Sequence, residues 1–268
     1  MSGLNWNSKL AHAQKLLGSG RLDEAKDLVR KACYEDKGNT DCWLLLGSIC
    51  GQLQALDCAL ESFTTAIDLA GNDPRAYTGL AQTFYAANQI DQAIPAVNTA
   101  LELQPDNPDN WYLLATLHGI QQNLAESATC LRRVTELVPS HALAHRTLGY
   151  ILQTQNRLQD ALDSYRLAVK YSPDFVDAHN DIGVILQEQG HIYEAISEYR
   201  TVLRIDPGFI GAMVNLGSLL LTQYHLDEAE KYFESALTID NNNLKALCGL
   251  GSIMAERGQV EQAQARFN

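Results

Sequence analysis

His141 and His145 lie four residues apart, as two imidazole ligands on one helix face would. No Glu and no third ligand accompany them in His-Ala-Leu-Ala-His, so the sequence assigns no metal. Gly249, Gly251 and Ser252 imitate part of a phosphate loop, but no strand-like run precedes them. No Gly-x-Ser-x-Gly elbow is present. Acidic residues such as Asp23, Glu24, Asp227 and Glu228 recur where helices are expected to start, which marks them as capping and solvation features and not as an acid/base pair. The six cysteines, at 33, 42, 50, 58, 130 and 248, show no zinc-type spacing and read as buried free thiols of a reducing cytosol. The chain therefore reads as a protein without catalytic residues, metal or cofactor.

Charge and composition narrow the partners. The 20 Lys and Arg against 32 Asp and Glu give a formal charge of −12 with no basic run, so nucleic acid is excluded as a partner. Residues 1–17 lack the apolar centre of a signal peptide, and no apolar stretch is long enough to cross a bilayer. A cytoplasmic protein is expected, with a protein or peptide as partner and no membrane. With 46% apolar residues, 7 Pro and 18 Gly at mostly regular intervals, the chain is expected to fold without linkers.

The elements that position these residues follow from a repeat of 34 residues. Ala25, Ala59, Ala93, Ser127, Ala161, Ala195, Ala229 and Ala263 form one column, and Ala13, Gly47, Ala81, Ala115, Gly149, Gly183, Gly217 and Gly251 another. Before the second column come Leu46, Leu80, Leu114, Leu148, Ile182, Leu216 and Leu250, and three residues earlier Trp43, Tyr77, Trp111, His145, His179, Met213 and Leu247. Phe63, Val97, Leu131, Tyr165, Tyr199 and Phe233 recur near each repeat's end, with Pro105, Pro139, Pro173 and Pro207 beyond. Apolar columns three and four apart predict two amphipathic helices per repeat, A and B, neither able to bury its stripe alone. Small residues allow close approach, large ones fill the gaps, and proline ends helix B. His145 and His179 sit in the Trp column, so they are expected to fill that slot. Pro95, inside helix B of the third repeat, is expected to cause a local kink.

This Trp-x-x-Leu-Gly, Ala, Phe, Ala, Pro pattern resembles the tetratricopeptide-repeat family over nearly the whole chain. The resemblance implies an all-α fold, a right-handed superhelical solenoid of antiparallel helix pairs. One array is expected, with repeats at 6–39, 40–73, 74–107, 108–141, 142–175, 176–209 and 210–243 and a partial one at 244–268. It also implies that helix A lines a concave groove. The candidate ligand-binding residues there are Arg75, Gln82 and Tyr85, then Tyr112, then Arg146, Tyr150 and Gln153, then Asn180, Asp181 and Gln187, then Asn215. The first two repeats offer mostly Leu10, Ala11, Leu44, Leu45, Ser48 and Gly51, and binding is expected between the third and seventh.

The carboxylate clamp of chaperone-binding members is absent, whereas Val214-Asn215-Leu216-Gly217 is similar to the repeats of O-linked N-acetylglucosamine transferase. The resemblance implies a protein–protein interaction scaffold holding an extended peptide or a partner helix. The alternative is the substrate-recruiting region of a larger glycosyl-, sulfo- or methyltransferase. Because the sequence stops inside a helix B, Val260, Ala263 and Phe267 are expected to lie uncovered, which makes the incomplete C-terminal repeat a candidate for self-association.

Overall fold

The computed structural model describes residues 6–258. Val260, Ala263 and Phe267 lie outside the described residues. The chain divides into two compact units, Met1–Pro139 and Ser140–Asn268. Among the described residues there are fifteen α-helices and no strand.

The first unit holds α1 (Trp6–Gly18), α2 (Leu22–Glu35), α3 (Thr40–Gln52), α4 (Leu56–Leu69), α5 (Pro74–Ala86), α6 (Ile90–Leu103), α7 (Pro108–Ile120) and α8 (Leu124–Leu137). The second holds α9 (Ala142–Thr154), α10 (Leu158–Tyr171), α11 (Val176–Glu188), α12 (Ile192–Ile205), α13 (Ile210–Thr222), α14 (Leu226–Ile239) and α15 (Leu244–Glu256). Odd-numbered helices are A and even-numbered ones B. Within each unit every A from α1 to α13 packs on the B that follows it, and B packs on the next A.

Helix A begins at a side-chain cap in several repeats. Asn39, Asp73, Asn107 and Asn243 each accept a hydrogen bond from a main-chain N–H in the first turn, and Pro74 and Pro108 follow two of them. Helix A ends by a backbone device. Residues 20, 54, 88, 122, 156, 190, 224 and 258 all have positive φ, and only three of them are glycine. The next N–H bonds back five residues, as Ala55 N does to Cys50 O at 2.8 Å and His191 N to Leu186 O at 2.8 Å. That six-to-one bond over a left-handed residue satisfies carbonyls the helix leaves free. Helix B follows at once and has no side-chain cap in any of the seven B helices described. The first-turn acids expected to cap it form ion pairs instead, Glu24 with Arg21 and Asp227 with Arg257, both at 2.5 Å.

The cores are those the columns predict. Ala25, Ala59, Ala93, Ala161, Ala195 and Ala229 are fully buried. Ser127 replaces one of them and donates its hydroxyl to Ala115 O at 2.8 Å, so the buried polar atom is satisfied. The Trp column has a second task. Trp43, Tyr77, Trp111 and His179 each bond the carbonyl six residues earlier, at 3.1, 3.1, 2.7 and 2.9 Å, and so staple the turn between B and the next A. Through Pro95, α6 stays one continuous helix.

The cysteines need a correction. Cys50 and Cys58 form a disulfide with Cα atoms 5.8 Å apart, and Cys248 is exposed, so only Cys33, Cys42 and Cys130 are buried free thiols. The reason is geometric: the A–B hairpin brings the last turn of α3 against the first turn of α4, within reach of a bridge.

Candidate functional site

In the first unit the A helices frame a cavity of about 880 Å³. Leu10 of α1, Leu44 and Leu45 of α3 and the Phe63 ring of α4 belong to its apolar lining. Gly47 and Gly79 leave room for the Phe63 ring, because a Cβ at either position would meet it, at 2.8 Å for Gly47. Asp41, Arg75, Gln82 and Asn107 are among its polar lining groups. Arg75 bonds both Asp73 (2.7 Å) and Asp41 (2.9 Å), which fixes its guanidinium and holds the Asp73 carboxyl below its usual range. Two expected residues, Arg75 and Gln82, thus line a cavity that reaches into the first two repeats, whose lining the sequence marks as poor in orienting groups. Tyr85 lies one turn further along α5, exposed and off the cavity lining. Tyr112 is half-buried on α7.

In the second unit most of the expected residues are engaged by other side chains of the chain. Arg146 of α9 reaches Asp181 of α11 at 2.8 Å and Asp177 at 3.7 Å, and lies 5.8 Å from the Phe175 ring centre. Burial pushes the Asp181 carboxyl up while Arg146 pulls it down. These two charges, both of them among the candidate ligand-binding residues, are paired with each other. Asn180 hydrogen-bonds Asp181 and keeps a buried Oδ1 without a partner.

The amides behave alike. The Tyr165 hydroxyl donates to Gln153 Oε1 at 2.9 Å, and the Tyr199 hydroxyl to Gln187 Oε1 at 3.1 Å. Asn215 hydrogen-bonds the Tyr199 hydroxyl in turn. Burial raises both phenols above their ordinary range. Tyr150, 59% exposed, remains as an open aromatic surface. The signal for this network was present in the sequence: each Tyr of the late column is followed sixteen residues on by a polar group, Asp181 or Asn215, whereas Phe63 and Phe233 are followed by Gly79 and Gly249.

The histidine pair is structural. His141 Nδ1 accepts from Ala144 N as a helix cap, and His145 is buried and stacked on Tyr171 at 5.8 Å. Among the described residues no group of three or more His, Cys, Asp or Glu is placed to hold a metal ion, and no helix is long and apolar enough to cross a membrane.

Family models agree with this architecture. A tetratricopeptide-repeat model matches residues 52–117 and 220–268, a TPR-repeat model 149–190, and a further tetratricopeptide-repeat model 176–209, together most of the chain. No curated protein matches the sequence. Among solved structures the chain is similar to YrrB, a TPR protein with an unusual peptide-binding site, at 23% identity, covering 70% of this chain and 97% of that one with a TM-score of 0.62. It is similar to MamA at 25% identity, over 62% of this chain and 97% of that one, TM-score 0.57. The C-terminal part of a TPR repeat-containing protein from Cytophaga hutchinsonii superposes over 90% of this chain and 98% of its own, at 13% identity and a TM-score of 0.74.

Proposed function

Since the chain belongs to the tetratricopeptide-repeat family, we propose that it is a non-catalytic, cytoplasmic protein-interaction scaffold whose helix-A faces hold an extended peptide or a partner's helix. The cavity of the first unit is the observation that carries this reading. Its size suits one or a few apolar side chains, and its lining combines apolar groups with polar ones able to orient a partner, as recognition sites do. Leu44 and Leu45 would take the partner's apolar anchor. Gln82 and Asn107 can each donate to and accept from a main chain, and the Asp41–Arg75 pair sets a fixed polar edge.

In the second unit Tyr150 offers aromatic contact at low entropic cost, over a base held rigid by the Arg146–Asp181 pair and the Gln187–Tyr199–Asn215 bonds. Those bonded residues support a partner by being preorganised, since their rotamers are fixed before it arrives.

Selection of a displayed peptide library on the full chain tests the proposal. Peptides with an apolar anchor should be enriched, and their binding should weaken by about tenfold or more in Leu45→Asp, the loss that burying an unpaired charge brings. Tyr193→Ala, on the outer helix α12, should bind as the parent does. Binding lost in Tyr193→Ala and kept in Leu45→Asp would overturn the reading.

A further inference from the structure

The Cys50–Cys58 bridge falls at two departures from the repeat that occur together. Where Cys50 stands, other repeats hold Leu16, Phe84, Leu152, Leu186 and Leu220, large groups that fill the space between A and B. Where Cys58 stands they hold Glu24, Glu126, Asp160, Glu194 and Glu228, solvated acids of the first turn. The second hairpin has thus lost both its apolar plug and its surface acid, at the two positions that touch. The other hairpins fold without a covalent link, so the bridge is no requirement of the fold. It replaces packing, and once it opens, the smaller Cys50 leaves this hairpin with fewer contacts than its neighbours.

The bridge also has a reachable side and a neighbouring cavity. Cys50 is fully buried, whereas Cys58 is half-buried at the start of α4. Gly51 and Gln52, next to Cys50, and Leu56, two residues before Cys58, line the cavity of the first unit. By contrast Cys33 and Cys42, whose thiols adjoin across α2 and α3, are 0% and 1% exposed and out of reach of a solution thiol.

We infer that Cys50–Cys58 is a thiol–disulfide exchange site, open to a dithiol reductant at Cys58, and that its redox state sets the stiffness of the cavity wall. A thiolate of the dithiol attacks Cys58 Sγ, the Sγ–Sγ bond breaks, and Cys50 leaves as a thiolate that takes up a proton. The second thiol of the reductant resolves the mixed disulfide, releasing Cys58 and leaving as the oxidised dithiol. Two protein thiols are gained and two reductant thiols lost. In the bridged state the ends of α3 and α4 are pinned, and in the dithiol state they open locally. The link to ligand binding rests on the cavity reading above.

The test compares the full chain after dithiothreitol and after glutathione disulfide. Non-reducing peptide mapping should find residues 50 and 58 linked only in the second. Hydrogen exchange of residues 47–62 should be about tenfold faster in the reduced state, with residues 149–164 unchanged. Nile red, a neutral apolar probe, should bind the reduced protein about threefold more weakly. Cys50→Leu/Cys58→Glu restores what other repeats carry, so it should fold and lose the response to dithiothreitol. Free thiols at residues 50 and 58 after glutathione disulfide, equal exchange in both states, or an undiminished response in the double variant would overturn the inference. Nile red bound in neither state would sink the cavity reading and leave the exchange site standing on its hydrogen-exchange result.

Discussion

Tyr199 on α12 is hydrogen-bonded through its hydroxyl by Asn215 on α13, sixteen residues on and in the next repeat. The same hydroxyl donates to Gln187 of its own repeat at 3.1 Å. A bond of this kind ties helix B of one repeat to the A helices on both sides of it. Where the ring is Phe63, the partner position is Gly79, whose missing side chain is the space the ring occupies. Ring and partner are therefore matched in polarity and in volume.

Removing that hydroxyl is expected to be felt in stability. Tyr199→Phe leaves the amides of Gln187 and Asn215 short of a partner and should destabilise by about 1 to 2 kcal/mol. Asn215→Ala should do so as well, because its amide is part of the core network. Urea unfolding measures both. Unchanged midpoints would show that water replaces the bonds at no loss.

The packing glycines allow a paired comparison. A Cβ at Gly183 would lie 2.7 Å from the Tyr199 ring, and one at Gly217 would lie 2.9 Å from the Phe233 ring. Gly183→Leu and Gly217→Leu should each destabilise by about 1 to 3 kcal/mol. Gly51, with nothing within 4 Å of its would-be Cβ, should tolerate Ala or gain from it. Thermal denaturation of the three variants checks the contrast.

Tyr224 occupies a left-handed position, φ 59°, that Gly20, Gly190 and Gly258 hold in other repeats. A bulky side chain there strains the backbone, and the ring is 75% exposed and buries little in return. Tyr224→Gly should therefore stabilise the chain by about 1 kcal/mol. A lower unfolding midpoint for that variant would contradict the account.

His179 makes stability depend on pH. Both ring nitrogens face acceptors, Nδ1 the Glu198 carboxylate at 2.6 Å and Nε2 the Pro173 carbonyl at 2.9 Å, which the imidazolium alone can satisfy together. The hydrogen bond to Glu198 raises the His179 pKa. The stabilisation is thus fully present below the unfolded histidine value of about 6.5 and is lost as pH rises through the higher folded value. Unfolding of the parent and of His179→Gln at pH 5 and at pH 8 should differ more at pH 5, and NMR titration of the ring should report the raised value.

The columns made much of this legible. Alanine at 25, 59, 93, 161, 195 and 229, and the small residues at 47, 81, 149, 183 and 217, stand where two helices must touch, and periods of three and four turn those columns into helix faces. His145 and His179 were readable as slot fillers because the repeat had already shown Trp43, Tyr77 and Trp111 in that slot. Arg146, Gln153, Asp181, Gln187 and Asn215 were harder. Residue type and register put them on helix A, but Arg146 and Asp181 pair between neighbouring A helices, Gln153 and Gln187 meet a tyrosine of the following helix B and Asn215 one of the preceding, over distances a single-helix pattern does not encode.

By itself, then, the sequence determined the period, the pairing of helices and the residues that fill each core, because burial of apolar surface at fixed helical spacing is a local constraint repeated many times. Only the tertiary structure decided the rest. It joined Cys50 to Cys58 through a hairpin, turned Arg146 toward Asp181, and opened a cavity over Leu44, Leu45 and Gly79. Hydrogen bonds, bridges and voids depend on atoms meeting at a few ångström in three dimensions, and a column of residue types fixes who can meet without fixing who does.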